Sequence, residues 1–248
     1  MLLKNGEHTE YISDRLRLIV SPEHTFGTDA LLLAAFAFPK KNDRACDLGT
    51  GCGIIPFYWL AGGLQNVTAV EIQEKAADQL RRSSELSGVE GNIRIIHEDI
   101  NNLKKILPAA CFNKITMNPP YTKTGHGIES AGSADKIARH ENMATLDEIC
   151  AAASYLLTFG GSFSICLRPE RLTEAFSAMK NSKVEPKRLR FVAKNADSAP
   201  WLFLLEGKKG RNPGIEVMKT LYIQTPDGKP TEELLKITGS YGKKKEKR

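Results

Sequence analysis

The sequence is poor in cysteine and has no CxxC pair, which argues against a zinc site and against a disulfide framework. Its five cysteines are odd in number, so reduced thiols in a cytoplasmic protein are the simple interpretation. The histidines show no ligand spacing, and we expect no metal. An apolar N-terminal segment is also missing, so we expect no secretory signal.

Long hydrophobic runs are scarce as well. One uncharged stretch, Ile149 to Leu167, has the length of a membrane span. Gly160-Gly161 interrupts it, and several serine and threonine residues make it polar. A buried helix, a turn and a buried strand explain it better, so we expect no membrane partner.

The composition that remains is that of a folded protein with a mild basic bias. The chain has 248 residues, of which 41% are hydrophobic and 26% charged, and its net charge is +6. A chain of this length can bury a sizeable core, and disorder is not expected. The positive charge permits an anionic partner without establishing one.

Strands and helices alternate over most of the chain. The patterns predict strands at 44–48, 67–72, 93–97, 112–117 and 161–167, and helices that begin near residues 28, 54, 73, 145 and 169. Thr28 or Asp29 is expected to cap the first of these helices, and Thr145-x-x-Glu148 is a capping box for a later one. Alternation of this kind predicts an α/β fold with a doubly wound, mostly parallel sheet.

After about residue 187 the pattern changes to successive strands at 188–193, 201–206 and 216–224. We expect these to form an antiparallel C-terminal edge on the sheet. Residues 1–240 are predicted to be one domain, with strands and a helix of residues 1–42 packed on it. The basic tail, 241–248, is expected to be disordered.

A glycine turn, Asp47-Leu-Gly49-Thr-Gly51-Cys-Gly53, follows a predicted strand and opens a helix. Glycines at this point let the backbone turn tightly and approach a ligand. The dinucleotide fingerprint GxGxxG would require Gly or Ala where this chain has Ile54. Glycine turns also occur at many βα junctions, so this turn indicates a nucleoside cofactor only together with the acidic residues at the strand ends.

Acidic residues end the next two strands. Glu71 closes the strand after the turn, where a carboxylate can accept hydrogen bonds from ribose hydroxyls. Asp99 follows the next strand and can accept one from an adenine amino group. In a doubly wound sheet these strand ends line one crevice, together with Asp47.

Asn118-Pro119-Pro120-Tyr121 closes the fourth strand. The prolines fix the backbone and cannot continue the sheet. They hold two oxygen acceptors, the Asn118 side chain and the Pro119 carbonyl, where both can bind one amino group. Acceptors out of the plane of that group favour the pyramidal nitrogen needed for attack, and Tyr121 offers a face for a planar ring.

Taken in order, DLGTGCG, VEI, EDI and NPPY resemble class I S-adenosylmethionine-dependent methyltransferases that act on exocyclic amino groups. The segment HTFGTDALLLAAF, residues 24–36, is similar to the bacterial family that methylates N6 of adenosine 37 in valine tRNA. The resemblance covers most of residues 10–225 and implies a Rossmann-like methyltransferase sheet, S-adenosyl-L-methionine as cofactor, tRNA as partner and a cytoplasmic location.

The resemblance also implies roles for single residues. The cofactor would be bound by Asp47, Gly49, Gly51 and Glu71, with Asp99 at its adenine, Phe26 and Thr28 at its methionine end and Asn118 beside it. The target base would be held by Asn118, Pro119, Pro120 and Tyr121. The Arg139-His140-Glu141 segment also looks familial, but chemistry assigns it no role.

Two further regions bear on an RNA partner. Basic residues outnumber acidic ones between Lys183 and Arg211, and we predict that Lys208, Lys209 and Arg211 contact RNA phosphates there. A solvated basic face is the alternative. The long loop 122–138 directly follows the catalytic segment and is a candidate lid.

Other functions remain open from the residues. A DNA adenine-N6 enzyme would usually carry a large target-recognition domain, for which little chain is left. A protein glutamine-N5 enzyme would usually have a separate helical domain before the glycine turn. A dehydrogenase fits neither the glycine spacing nor NPPY. A non-catalytic RNA-binding module with this fold is the non-enzyme alternative, which an intact Asn118 and Glu71 argue against.

Overall fold

A nine-stranded sheet forms the centre of the computed structural model, which describes residues 3–120 and 144–239. Two short 3-10 turns, Ile100–Lys105 and Pro169–Arg171, accompany the regular elements. In chain order these elements are β1 (His8–Tyr11), β2 (Arg17–Val20), α1 (Thr28–Phe36), β3 (Ala45–Leu48), α2 (Ile54–Ala61), β4 (Val67–Glu71), α3 (Glu74–Ser87), β5 (Ile93–His97), β6 (Phe112–Met117), α4 (Leu146–Leu156), β7 (Leu157–Leu167), α5 (Leu172–Asn181), β8 (Val184–Ala193), β9 (Leu202–Lys209), β10 (Glu216–Val217), β11 (Leu221–Tyr222) and α6 (Glu232–Thr238).

The order of the strands across the sheet is β10-β8-β9-β7-β6-β3-β4-β5, and β11 also pairs with β8. Five neighbours, β5, β4, β3, β6 and β7, run parallel. The chain leaves β3 toward β4 and later returns to its other side as β6, so a topological switch point lies between β3 and β6. The predicted α/β class with a doubly wound, mostly parallel sheet is confirmed.

The C-terminal strands differ in detail from the expected antiparallel edge. The antiparallel strand is β9, which lies two positions inside the edge formed by β10 and β11, between β7 and β8. The expected third strand, 216–224, is split into β10 and β11, two short strands that pair parallel to β8. Short edge strands of this kind limit the unpaired backbone that a sheet presents to other chains.

Apolar side chains cover both faces of the sheet. On one face Ile115, Phe163 and Ile165 pack with α4 and α5. On the other face α1, α2 and part of α3 enclose the fully buried Phe57 and Trp59. The alternation of side chains along each strand produces these two layers.

The hairpin of β1 and β2 packs on α3 through buried polar contacts. The backbone N–H of Ile19 donates to Ser83 Oγ at 2.9 Å, and Gln79 Nε2 donates to the carbonyls of Ile19 and His24 at 2.7 and 2.9 Å. These bonds fix the segment that leads into α1 against α3. The division of the chain at residues 42 and 240 stays a prediction, and residues 241–248 lie outside the described part.

Helix starts show where local sequence patterns decide the structure. The capping box is confirmed, because Thr145 Oγ1 accepts from the Glu148 N–H and Glu148 Oε2 accepts from the Thr145 N–H. The predicted cap of α1 by Thr28 or Asp29 is wrong. Its N-cap is Gly27, which has no side chain to cap it, and the Asp29 carboxylate is used elsewhere.

The uncharged stretch 149–167 forms the rest of α4 and the whole of β7. Among the described residues, no helix combines the length and the apolar character that a membrane crossing requires.

Candidate active site

A pocket of about 430 Å³ opens at the carboxyl ends of β3, β4 and β6, beside the switch point of the sheet. Most of the residues expected at the site line it, namely Phe26, Asp47, Gly49, Gly51, Glu71, Asp99, Asn118 and Pro120. Thr28 and Pro119 are near in sequence but are not part of its lining. Tyr121 lies outside the described residues.

The three glycines of the turn have positive φ angles, but each is required for a different reason. A Cβ on Gly51 would meet nothing within 4 Å, so the backbone there faces open space at the pocket. A Cβ on Gly53 would lie 2.2 Å from Leu80 Cδ1, so this glycine allows α3 to pack against the turn. A Cβ on Gly49 would lie 3.1 Å from Met117 Cε. Gly51 is therefore the point at which a ligand can approach the main chain.

Glu71 is almost fully buried and ties the end of β4 to the glycine turn. Its Oε2 accepts from the Gly51 N–H at 2.7 Å, and its Oε1 accepts from the Gln73 N–H at 2.8 Å. Each carboxylate oxygen has a second lone pair for a further donor. The side chain that is expected at a ribose therefore also shapes the turn.

Asp47 lies at the end of β3 and is 1% exposed. Burial raises the pKa of its carboxyl to about 7, although the Thr116 hydroxyl donates to it at 2.7 Å and favours the ionised form. The carboxyl is therefore partly protonated and partly ionised near neutral pH. Asp47 directly precedes the glycine turn and lines the pocket.

Asp99 and two isoleucines form the far end of the pocket. The Asp99 side chain accepts from the Asn101 N–H at 2.8 Å and so opens the 3-10 turn that follows β5. Ile72 is 48% exposed although it is apolar, and together with Ile100 it lines the pocket next to Asp99. Sequence reasoning missed Ile72. Its position was a usable signal, because it is an apolar residue that directly follows Glu71 at the end of β4.

Asn118 is held between two side chains from distant parts of the chain. Its Nδ2 donates to Asp29 Oδ2 at 3.0 Å, and its Oδ1 accepts from the Cys166 thiol at 3.1 Å. Sequence reasoning missed both partners. Cys166 follows from the pairing of β6 with β7, which sets Met117 opposite Ile165. Asp29 lies in the segment 24–36 that already carried the family resemblance.

The described groups fit an adenosine-containing ligand. Open space at the Gly51 backbone, a carboxylate at Glu71, and the pairing of Asp99 with the exposed Ile72 supply a close approach, an acceptor for hydroxyls and a partly apolar base pocket. A small number of convergent polar groups in a largely apolar cleft is typical of a cofactor site.

The three residues expected to bind RNA are not brought to this pocket. Lys208 pairs with Ser162 and Lys209 with Val184, near the amino ends of β7 and β8 and so at the opposite edge of the sheet. Lys209 Nζ donates to the carbonyls of Ser154 and Leu157 at 2.7 and 2.9 Å and so ends α4. The Arg211 guanidinium lies 5.9 Å from the ring centre of the exposed Phe159. Their role in RNA binding stays a prediction.

Other expected features fall on residues that the structure does not describe, namely the loop 122–138 and Arg139-His140-Glu141. Within residues 3–120 and 144–239, no group of three or more His, Cys, Asp or Glu side chains has an arrangement that could hold a metal ion.

Comparison with known proteins adds to this geometry. The methyltransferase small domain family matches residues 23–184. A tRNA1(Val) (adenine(37)-N6)-methyltransferase from Cronobacter sakazakii is 32% identical over 204 residues, which are 81% of this chain and 81% of that protein. The family match, over residues 23–184, spans the glycine turn, both strand-end acids and NPPY.

Solved structures share the fold at lower identity. A predicted O-methyltransferase from Agrobacterium tumefaciens has a TM-score of 0.69 at 21% identity and covers 85% of this chain and 95% of its own. A geranyl diphosphate C-methyltransferase from Streptomyces coelicolor, solved with S-adenosyl-L-homocysteine, has a TM-score of 0.54 at 11% identity and covers 73% of this chain and 74% of its own. By its family match and its curated relative, the chain belongs to the methyltransferase small domain family and, within it, to the bacterial tRNA1(Val) (adenine(37)-N6)-methyltransferase family.

Proposed function

We propose that this protein transfers a methyl group from S-adenosyl-L-methionine to N6 of an adenosine in tRNA, with adenosine 37 of valine tRNA as its target. The observation that carries this proposal is the position of Asn118, which closes β6 beside a pocket lined by the glycine turn and two strand-end acids. Family membership supports the same reaction.

The cofactor is assigned to the pocket by the chemistry of the lining. Glu71 accepts from the ribose hydroxyls, Asp99 from the adenine amino group, and Ile72 packs on the base. The Gly49 and Gly51 backbone approaches the cofactor, with Asp47 and Phe26 also lining the pocket, and Phe26 is assigned to the methionine end. When bound, the cofactor supplies an activated sulfonium methyl, so the protein has mainly to orient the acceptor.

The acceptor side of the reaction is assigned to the Asn-Pro-Pro-Tyr segment. The Asn118 Oδ1 and the Pro119 carbonyl accept the two hydrogens of the adenine amino group and stabilise the positive charge that develops on it. Pro120 fixes the segment, and Tyr121 stacks on the base after it has left the anticodon loop. As the new N–C bond forms, the S–C bond of the cofactor would break and S-adenosylhomocysteine would leave. The methylated amino group then carries an extra proton and is strongly acidic, so it loses that proton to solvent and no dedicated general base is required.

The anticodon loop has to approach the carboxyl ends of the parallel strands, because the pocket opens there. This end of the strands is called the carboxyl edge below. Arg168 follows β7 and Lys194 follows β8, and both are exposed at that edge. Their charges suit phosphates on either side of the target, while Lys208 and Arg211 suit a more distant part of the tRNA. Lys209 has a structural role in ending α4 and contributes less than these residues to RNA binding.

One experiment separates this function from its alternatives. The protein is incubated with methyl-labelled S-adenosylmethionine and, separately, with tRNA from cells that lack it, with unmethylated DNA and with total protein. Label in tRNA, recovered as N6-methyladenosine by nucleoside mass spectrometry, is the expected result. Label in DNA or on glutamine would support the rival enzymes, and tRNA binding without transfer would support the RNA-binding module.

A further inference from the structure

Asp29 has an unusual position for the second residue of a helix. It is only 9% exposed, and its carboxylate does not cap α1. Instead its Oδ2 accepts from Asn118 Nδ2 at 3.0 Å, across 89 positions of sequence. An acidic residue in the first turn of α1 therefore contacts the side chain to which the acceptor chemistry is assigned.

The chemistry of that contact fixes which way the Asn118 amide points. An ionised carboxylate can only accept hydrogen bonds, so it must face the amide nitrogen and not the amide oxygen. The Oδ1 is left on the opposite side, where the Cys166 thiol donates to it at 3.1 Å. An amide oxygen has two lone pairs, so Oδ1 can accept a second hydrogen from a substrate.

Gly27 provides room for the carboxylate. A Cβ at this position would lie 2.4 Å from Asp29 Oδ1, closer than two such atoms can approach. The Gly27 backbone has φ −106° and ψ 176°, an extended conformation that any residue adopts. A side chain at this position is therefore opposed by the Asp29 carboxylate, which it would displace, and not by the conformation of the backbone.

We propose that Asp29 is a positioning residue for methyl transfer, which holds the Asn118 amide with its oxygen toward the target amino group. Gly27 contributes to this positioning because it leaves room for the carboxylate to reach Asn118. This inference rests on the proposed function, since it concerns the orientation of the acceptor group in that same reaction.

The first test removes the carboxylate. Asp29→Ala should lower the single-turnover rate of methyl transfer to an unmodified tRNA1(Val) transcript roughly 10- to 100-fold, because a hydrogen bond to a charged group is lost and the amide is free to turn. Asp29→Asn keeps an acceptor oxygen and should recover most of that rate. Asp147→Ala removes a carboxylate from the first turn of α4 and should leave the rate unchanged.

The second test moves the carboxylate without removing it. Gly27→Ala should lower the rate in the same range, because the new Cβ displaces Asp29. In an Asp29→Ala background the same change should have no further effect, since there is no carboxylate left to displace. A thermal melt checks that each variant folds.

The third test asks whether Asp29 acts through Asn118. When Asn118→Ala and Asp29→Ala are combined, the rate should equal that of Asn118→Ala alone. Multiplying effects would overturn the proposal, as would a wild-type rate in Asp29→Ala. Asp29 also lines the pocket, so S-adenosylhomocysteine affinity is measured by calorimetry. An unchanged affinity is expected, and a loss of affinity as large as the loss of rate would mean that Asp29 binds the cofactor instead. If the wild-type protein methylates no tRNA, the proposed function itself fails; a methylating wild type with an indifferent Asp29 contradicts only this inference.

Discussion

Two buried carboxylates flank the glycine turn, and their surroundings give them different properties. Glu71 accepts from two backbone N–H groups, whereas Asp47 accepts from the Thr116 hydroxyl and is 1% exposed. Burial outweighs the effect of the neighbouring threonine hydroxyls and raises the pKa of Asp47 to about 7. Ionised Asp47 therefore destabilises the folded protein near neutral pH. A role in ligand binding explains the presence of this buried acid better than a contribution to stability.

The raised pKa of Asp47 predicts a pH dependence of stability. Between its ordinary pKa of 3.8 and about 7 the folded state holds the proton more tightly than the unfolded state. The contribution of Asp47 to the free energy of unfolding therefore falls as the pH rises through this window, by about 1.4 kcal/mol for each unit of pKa difference.

Chemical denaturation of the wild type and of Asp47→Asn at pH 5 and pH 8 checks this prediction. The variant keeps the oxygen that accepts from Thr116 and has no charge to bury. Wild type should lose stability relative to the variant on going to pH 8. An equal difference at both pH values would show that the carboxyl ionises at its ordinary pKa.

Glu71 gives a second prediction at the residue scale. Glu71→Gln presents an NH₂ group to one of the two backbone N–H donors and weakens the acceptor for a ribose. S-adenosylmethionine affinity should fall by about 1.5–3 kcal/mol, the range for hydrogen bonds to a charged group. Calorimetry measures it, with Glu74→Gln in the first turn of α3 as control. Equal affinities in the two variants would remove Glu71 from the cofactor site.

At the scale of the elements, two glycines of the turn have different roles: Gly51 allows a ligand to approach, and Gly53 allows α3 to pack against the turn. Gly51→Ala should reduce cofactor affinity strongly at a stability cost of about 1–3 kcal/mol, because only the positive φ is strained and the Cβ enters open space. Gly53→Ala adds a clash with Leu80 to the same strain, so its stability loss should be the larger.

Denaturant midpoints and calorimetric affinities, measured on both glycine variants, test this division. If Gly53→Ala proves no less stable than Gly51→Ala, then the contact between the turn and α3 is not what requires the third glycine.

The sequence predicted the bounds of an element well where neighbouring residues alone determine them. Periodicity and the Thr145 capping box were enough for β5, β6 and α4, because strand alternation and caps depend on near neighbours. The cap of α1 was mispredicted because a long-range hydrogen bond to Asn118 takes the Asp29 side chain. The short β10 and β11 were not separable from one strand, since only pairing with β8 defines them.

The same contrast holds for the site. Strand-end placement brought Asp47, Glu71, Asp99 and Asn118 to one pocket, as the parallel topology requires. The partners of Asn118 come from α1 and β7 and had no sequence signal of their own. The number of basic residues in a segment also does not show at which end of the strands they lie. Lys208 and Arg211 lie away from the pocket.

For the molecule as a whole, we expect basic residues at the two ends of the strands to contribute differently to the salt dependence of tRNA binding. Arg168→Ala with Lys194→Ala removes two charges at the edge where the pocket opens, and Lys208→Ala with Arg211→Ala removes two at the other. The first pair should reduce the slope of log K against log salt by roughly 1–2 units, and the second pair by less.

Binding of tRNA across a salt series, with both double variants and the wild type, measures these slopes. A larger change for Lys208 and Arg211 would place the main phosphate contacts at the far edge and restore them as the principal RNA-binding residues.

The pocket at the carboxyl ends of the strands is proposed to methylate the exocyclic amino group of one tRNA adenosine. Single-turnover methyl transfer to unmodified tRNA1(Val), and to the same tRNA with guanosine in place of adenosine 37, is measured for wild type and for Asn118→Ala. We expect one N6-methyladenosine per tRNA with the wild type. We expect no product with the guanosine tRNA, and a rate on the order of 10²–10³-fold lower for Asn118→Ala with S-adenosylhomocysteine binding retained. Undiminished labelling of the guanosine tRNA, or a wild-type rate for Asn118→Ala, would contradict this assignment of the pocket.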